Sequence, residues 1–260
     1  MKNFIQKLLN KDLYPELTKA GGLSIGLNNA FEAINSEIRV ENERPKERPF
    51  SYARIEKNNK FSQVYIASEE KLYLSDFWKD GVCLANGKTD NITNLVKSLH
   101  VWLNNDISTK ELSLKFNFIH PNKKSESFDD ENEIEYTWNK ILNDGFAELN
   151  PFIQLAIKDH LISKLFPYTS LYTLCFSRCT GYPYDSLDLP NVTPKSNSWS
   201  LPKEIKQKTN KNPSTGEIIY IVTKNRNQYL GEGNAKETLE LVKSNLPKDL
   251  ALAKKGISKN

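Results

Sequence analysis

One block of this chain is written twice. Leu84-Ala-Asn-Gly87 followed by Leu95-Val-Lys-Ser98 returns as Leu230-Gly-Glu-Gly233 followed by Leu241-Val-Lys-Ser244, at a constant offset of 146 residues. Six of the fifteen aligned positions are identical. In each copy, residues of strand composition lead into a segment with helical spacing. Such a repeat points to two related halves, because one hairpin and one helix bury little apolar surface by themselves. The expected fold class is α+β and pseudo-duplicated: helix–antiparallel-sheet–helix twice, with the helices on one face of the sheet or sheets. Residues 1–120 are read as the first half, 121–135 as an acidic linker, 136–250 as the second half and 251–260 as a basic tail.

Within the first half, Met1–Asn10 reads as an amphipathic helix interrupted by Lys7. Residues 16–36 carry a second helix, whose start is blurred by Gly21, Gly22 and Gly26. A charged loop over 41–49 precedes strand-like runs at 50–57, 61–67 and 72–78. Asp80-Gly81 is a tight-turn signal that folds the last of these back onto 82–85. Thr89 or Asp90 caps a helix over 92–103, where Ile92, Leu95, Val96, Leu99 and Leu103 follow the i, i+3, i+4, i+7 pattern. Ser108 and Glu111 have the spacing of a capping box.

The second half opens with helical spacing at 134–142 and a stronger helix from Pro151 to about Leu165. Residues 168–178 read as one strand. Residues 185–217, rich in Pro, Ser, Asn and Lys, read as a long loop. A second hairpin, 218–223 with 228–230, leads to a last helix from Asn234 or Ala235 to about Leu246.

No apolar run approaches the roughly 20 residues that span a bilayer, so no membrane partner is expected. The N-terminus lacks the uninterrupted apolar core of a secretory signal. Three cysteines is an odd count. Cys175 and Cys179 fall in one strand-like run, about 13 Å apart by strand rise and too far to bridge. Free thiols and a cytoplasmic location follow as expectations. Net charge is +4, with +7 in residues 191–260 and −3 in the rest. The basic third lacks the interleaved Arg and aromatic residues of a stacking surface, so nucleic acid is not the expected ligand.

The candidate chemistry is sparse. No HExxH or CxxC pattern exists, and His100, His120 and His160 are not at metal-ligand spacing, so neither metal nor cofactor is expected. Ser177-Arg178-Cys179-Thr180-Gly181-Tyr182-Pro183-Tyr184 is the most distinctive string. As a recognition loop, Arg178 would bind a carboxylate or phosphate, and Tyr182 and Tyr184 would stack on a ligand. Cys179 beside Arg178 is the best thiol nucleophile. The same string also reads as a strand end with a glycine turn. Asp76 and Trp78, near the tip of the Asp80-Gly81 hairpin, are the other binding candidates, Trp78 as an interface anchor or as core.

Three strings together, Asp76 to Ala85, Phe166 to Pro183 and Leu230 to Gly233, resemble domain-of-unknown-function family 6193, a set of bacterial proteins often labelled natural product biosynthesis protein. The resemblance runs from about Tyr14 to Pro247, and the stretch Ser200–Glu217 is longer than expected for the family. It implies a natural-product or toxin-type gene-cluster setting and brings no catalytic residues with it. The expected role is accordingly an accessory protein that binds a peptide, protein or small product without catalysis. The alternatives are an immunity-type protein that neutralises a toxin, with the acidic residues of 126–135 covering a basic site, and a tailoring enzyme using Cys179. The oligomeric state is open.

Overall fold

The computed structural model describes residues 13–41, 52–209, 216–225 and 227–258. The helix expected over 1–10 and the loop over 42–49 lie outside them. The chain divides into two compact units, Met1–Glu131 and Asn132–Asn260.

In the first unit, helices α1 (Pro15–Ala20) and α2 (Leu23–Ala33) precede strands β1 (Tyr52–Lys57), β2 (Lys60–Ile66), β3 (Tyr73–Lys79) and β4 (Val82–Thr89). Helices α3 (Ile92–Asn104) and α4 (Thr109–Lys115), strand β5 (Ile119–Pro121) and helix α5 (Ser125–Asp129) complete it. The five strands form an antiparallel sheet in sequence order. Alternation decides its inner face: Ala53, Ile55, Val64, Tyr73, Phe77 and Leu84 are buried. Trp102 of α3 meets Phe77 edge-on at 6.0 Å, and Tyr14 meets Tyr73 at 5.6 Å. Each large apolar side chain buried this way contributes about 1.5–3 kcal/mol.

The β3–β4 turn forms where Asp80-Gly81 placed it, with both residues at positive φ (53° and 77°). The α3 cap is Asn91, one residue beyond the two expected. Its Oδ1 accepts the N–H of Thr93 (2.9 Å) and Asn94 (3.0 Å), while Thr89 is used to hold the Asn91 N–H (3.2 Å). The Ser108–Glu111 capping box is present.

Residues 121–135 were expected to be a linker, but they are folded. Phe128 is buried. Asp129 accepts hydrogen bonds from the Thr109 hydroxyl (2.9 Å) and N–H (3.2 Å), and Glu133 is buried. The charge pattern concealed this because Ser125, Ser127 and Phe128 supply the inward face.

The second unit contains α6 (Glu133–Asp144), α7 (Asn150–Ala156), β6 (Phe166–Ser170), β7 (Thr173–Ser177), β8 (Pro190–Pro194), α8 (Lys203–Lys206), β9 (Tyr220–Lys224), β10 (Gln228–Gly233) and α9 (Ala235–Ser244). It too holds a five-stranded antiparallel sheet, in the order β10-β9-β8-β7-β6. Its core gathers Trp138, Phe152, Ile153, Leu174, Phe176, Val192, Tyr220, Val222 and Val242. The smaller cluster of Leu201, Ile205 and Ile221 brings α8 against the other face of β9, a departure from helices on one face only.

Three local expectations fail for identifiable reasons. The helix from Pro151 ends at Ala156, and Asp159 then accepts the N–H groups of Leu161 (3.0 Å) and Ile162 (3.1 Å), starting a new turn. The strand expected over 168–178 is a hairpin: Leu171 (φ 47°) and Tyr172 (φ 66°) make a two-residue turn. Bulky residues in that region cost about 1–3 kcal/mol each, so nothing in their chemistry announces a turn. The long loop hides β8, the central strand of its sheet. Lys195 donates its N–H to Ile219 of the β9 side (2.8 Å). By alternation, the nitrogens of Pro190 and Pro194 face β7, where the ladder is confined to Leu174↔Val192. Prolines are tolerated there because little pairing is lost.

Two sheets of the same kind, each with helices packed on it, fit the two-halves reading. The hairpins β3–β4 and β9–β10 both lead into an Asn-capped helix. The correspondence shifts, however, from 146 residues at Gly87 and Gly233 to 143 at the caps Asn91 and Asn234. The buried pairs are Leu95 with Thr238 and Leu99 with Val242.

Candidate functional site

The outer face of the first sheet carries a polar row one residue wide and five strands long. Strand register sets Arg54 opposite Gln63, Gln63 opposite Asp76, Asp76 opposite Asn86 and Asn86 opposite His120. Aromatic residues flank the row on both sides. Tyr52 and Tyr65 lie 5.2 Å apart, and Gln63 joins them: its Nε2 donates to the Tyr52 hydroxyl (3.1 Å) and its Oε1 accepts from Tyr65 (3.2 Å). On the other side Phe61 and Trp78 stack at 5.0 Å. The Arg54 guanidinium lies 3.8 Å over the Phe61 ring while donating to Glu56 (2.8 Å).

A bulge after Phe77 brings Cys83 onto this face next to Asn86. Asn86 donates to Asp76 Oδ1 (2.6 Å). Asn122 donates to the Cys83 carbonyl (3.1 Å). Burial, then the Asp76 charge, pushes the Cys83 thiol up and keeps it protonated. Burial lowers the Lys124 ammonium nearby. The row thus sets hydrogen-bonding side chains between ring surfaces on one sheet face. It can hold a polar chain by hydrogen bonds and apolar side chains by ring contact. It offers no activated nucleophile.

Arg178 and Cys179 are placed differently. The chain beyond β7 runs beside the C-terminal segment: Lys254 donates its N–H to the Arg178 carbonyl (3.0 Å), Thr180 to Lys254 (3.1 Å), Gly181 to Gly256 (2.7 Å) and Ser258 to Pro183 (2.8 Å). Residues 253–258, expected as a basic tail, are therefore tied into the second unit. The Arg178 guanidinium is used internally, on Asp185 (3.1 Å) and the Leu187 carbonyl (2.9 Å). Cys179 is 6% exposed. Its sulfur accepts the Asp185 N–H (3.2 Å) and lies 3.5 Å from the Gly181 carbonyl. Tyr184 stacks on Tyr168 at 4.2 Å, and burial raises both phenols, Tyr168 to about 12. Tyr182 stands exposed, edge-on to Tyr184.

Of the six candidates, Asp76 and Trp78 share the sheet face, while Arg178, Cys179, Tyr182 and Tyr184 cluster in the second unit. Cys83, Cys175 and Cys179 form no disulfide. His100 is engaged by Ser36 (2.8 Å) and Asn104 (3.2 Å). Among the described residues, no three His, Cys, Asp or Glu side chains are grouped to hold a metal, and no helix is long and apolar enough to cross a membrane.

Residues 132–217, which contain the Phe166–Pro183 string, match the model of a family described as a family of unknown function, DUF6193. The DUF6193 match covers α6 through β8 and the residues after it. The Asp76–Ala85 and Leu230–Gly233 strings lie outside it, so the resemblance expected from Tyr14 to Pro247 is met over the middle string alone. No curated protein and no solved structure matches the chain.

Arg54, Gln63, Asn86 and His120 were not among the sequence candidates. Each sits at an alternating position, which is a legible signal, but their alignment depends on register across four strand pairs.

Proposed function

We propose that this protein binds a protein or peptide partner through the outer face of its first sheet and does no covalent chemistry there. The observation that supports this reading is the Arg54–Gln63–Asp76–Asn86–His120 row between its two aromatic pairs. An accessory role in a cytoplasmic biosynthetic or toxin-type setting is what the family resemblance adds. The Cys179 thiol, enclosed by its own loop, supports a structural role better than a catalytic one.

The test is affinity purification of the full chain from its native host. Wild type is compared with Tyr65→Ala/Asp76→Ala and with Cys179→Ser. A stoichiometric partner retained by wild type and Cys179→Ser but lost by the double variant is the expected result. Retention by the double variant, or a product formed only with an intact Cys179, would overturn the reading. If the partner is an enzyme that loses activity in the complex, the immunity-type form of the proposal follows.

A further inference from the structure

The β6–β7 hairpin tip is built from the wrong residues for its turn. Both central positions require positive φ, which Asn and Gly adopt freely and Leu and Tyr do not. Leu171 is 71% exposed, so its side chain repays nothing within the fold. Tyr172 lies 4.4 Å from the Phe146 ring and 5.5 Å from Trp199, and Trp199 is itself 60% exposed. Three rings and a leucine thus form one outward apolar patch on the second unit, held in place at the expense of local backbone preference. On the side of α8 its border is basic. Lys206 donates to the Trp199 carbonyl (2.8 Å), and exposed Lys203 and Lys208 lie on the same short segment, with Glu204 as its only acid. None of these three lysines forms an ion pair among the described residues.

We propose that Leu171, Tyr172, Phe146 and Trp199 form a docking surface for a protein segment that combines apolar and acidic side chains. Aromatic anchors bordered on one side by Lys203, Lys206 and Lys208 complement such a segment in apolar surface and in charge. The proposal concerns the second unit and does not depend on the reading given to the first-sheet face.

Random dodecapeptides displayed on phage are panned against the full chain, and enriched peptides are measured by fluorescence anisotropy. Enrichment of aromatic or aliphatic residues with Asp and Glu is expected. Trp199→Ala and Lys203→Glu/Lys206→Glu should each weaken binding about tenfold or more, the size of a hot-spot loss. Leu171→Asn relieves the turn, so it should keep or raise thermal stability while weakening binding. That combination separates recognition from folding. Three results would overturn the proposal: no enrichment, enriched peptides that bind the variants as they bind wild type, or enrichment of basic peptides. Sedimentation with phosphatidylglycerol vesicles in place of peptide binding, or a concentration-dependent dimer abolished by Trp199→Ala, would assign the patch to lipid or to a second copy instead.

Discussion

Single residues in this protein show how a side chain's chemistry is spent. Asp159 accepts two backbone N–H groups and pairs with Lys243 at 3.3 Å. Burial works against its charge, but those contacts win and hold its carboxyl below the ordinary range. Its contribution is present above the usual aspartate pKa and is lost as pH falls below it. Asp159→Ala should cost about 1–2 kcal/mol in urea unfolding at neutral pH, with the deficit shrinking in acid. Tyr220 runs the other way. Burial pushes its phenol up to about 12, and its hydroxyl donates to the Glu148 carbonyl (2.7 Å). Stability from a raised tyrosine is intact below about pH 10 and falls as pH rises toward 12. Tyr220→Phe should flatten that alkaline loss, as followed by thermal unfolding against pH. Among the thiols, half-buried Cys83 should alkylate in the native state before buried Cys175 and Cys179, as mass spectrometry of timed iodoacetamide reactions would show. Little of this was legible beforehand. Cys179 beside Arg178 looked like an activated nucleophile, because sequence shows adjacency and not the carbonyls that enclose the sulfur.

Elements were legible where their punctuation was ordinary. Asp80-Gly81, the Ser108–Glu111 box and the apolar stripe of α3 each announced what they form. The β6–β7 turn and β8 did not, because Leu-Tyr carries no turn chemistry and paired prolines usually argue against a central strand. The C-terminal segment was misread on charge alone. Lys254 and Lys255 are exposed, while the backbone of 253–258 makes five hydrogen bonds to Lys164, Arg178, Thr180, Gly181 and Pro183. Truncation after Leu252 should therefore destabilise the second unit by about 3–5 kcal/mol, taking each bond at about 1 kcal/mol or less. Unfolding in guanidinium chloride, followed by near-ultraviolet circular dichroism, checks this. A truncation that unfolds like the full chain would return the segment to the status of a tail.

At the scale of the whole molecule, the repeated block announced the broad plan and left the polar row hidden. Two five-stranded antiparallel sheets fit a repeated hairpin and helix, yet the row on the first sheet exists only once register aligns it. Among the described residues, the core of the second unit gathers side chains from Ile134 to Leu250. A fragment of residues 132–260 should accordingly unfold in one cooperative transition on its own. The most direct test of binding through the first-sheet face is a photo-crosslinking amino acid installed at Tyr65, with Leu114 on the exposed side of α4 as the control position. Illumination in the native host should join one polypeptide to position 65 and leave position 114 unlabelled. Equal labelling at both positions, or none at 65 while the chain still co-purifies with its partner, would contradict a binding face on that sheet.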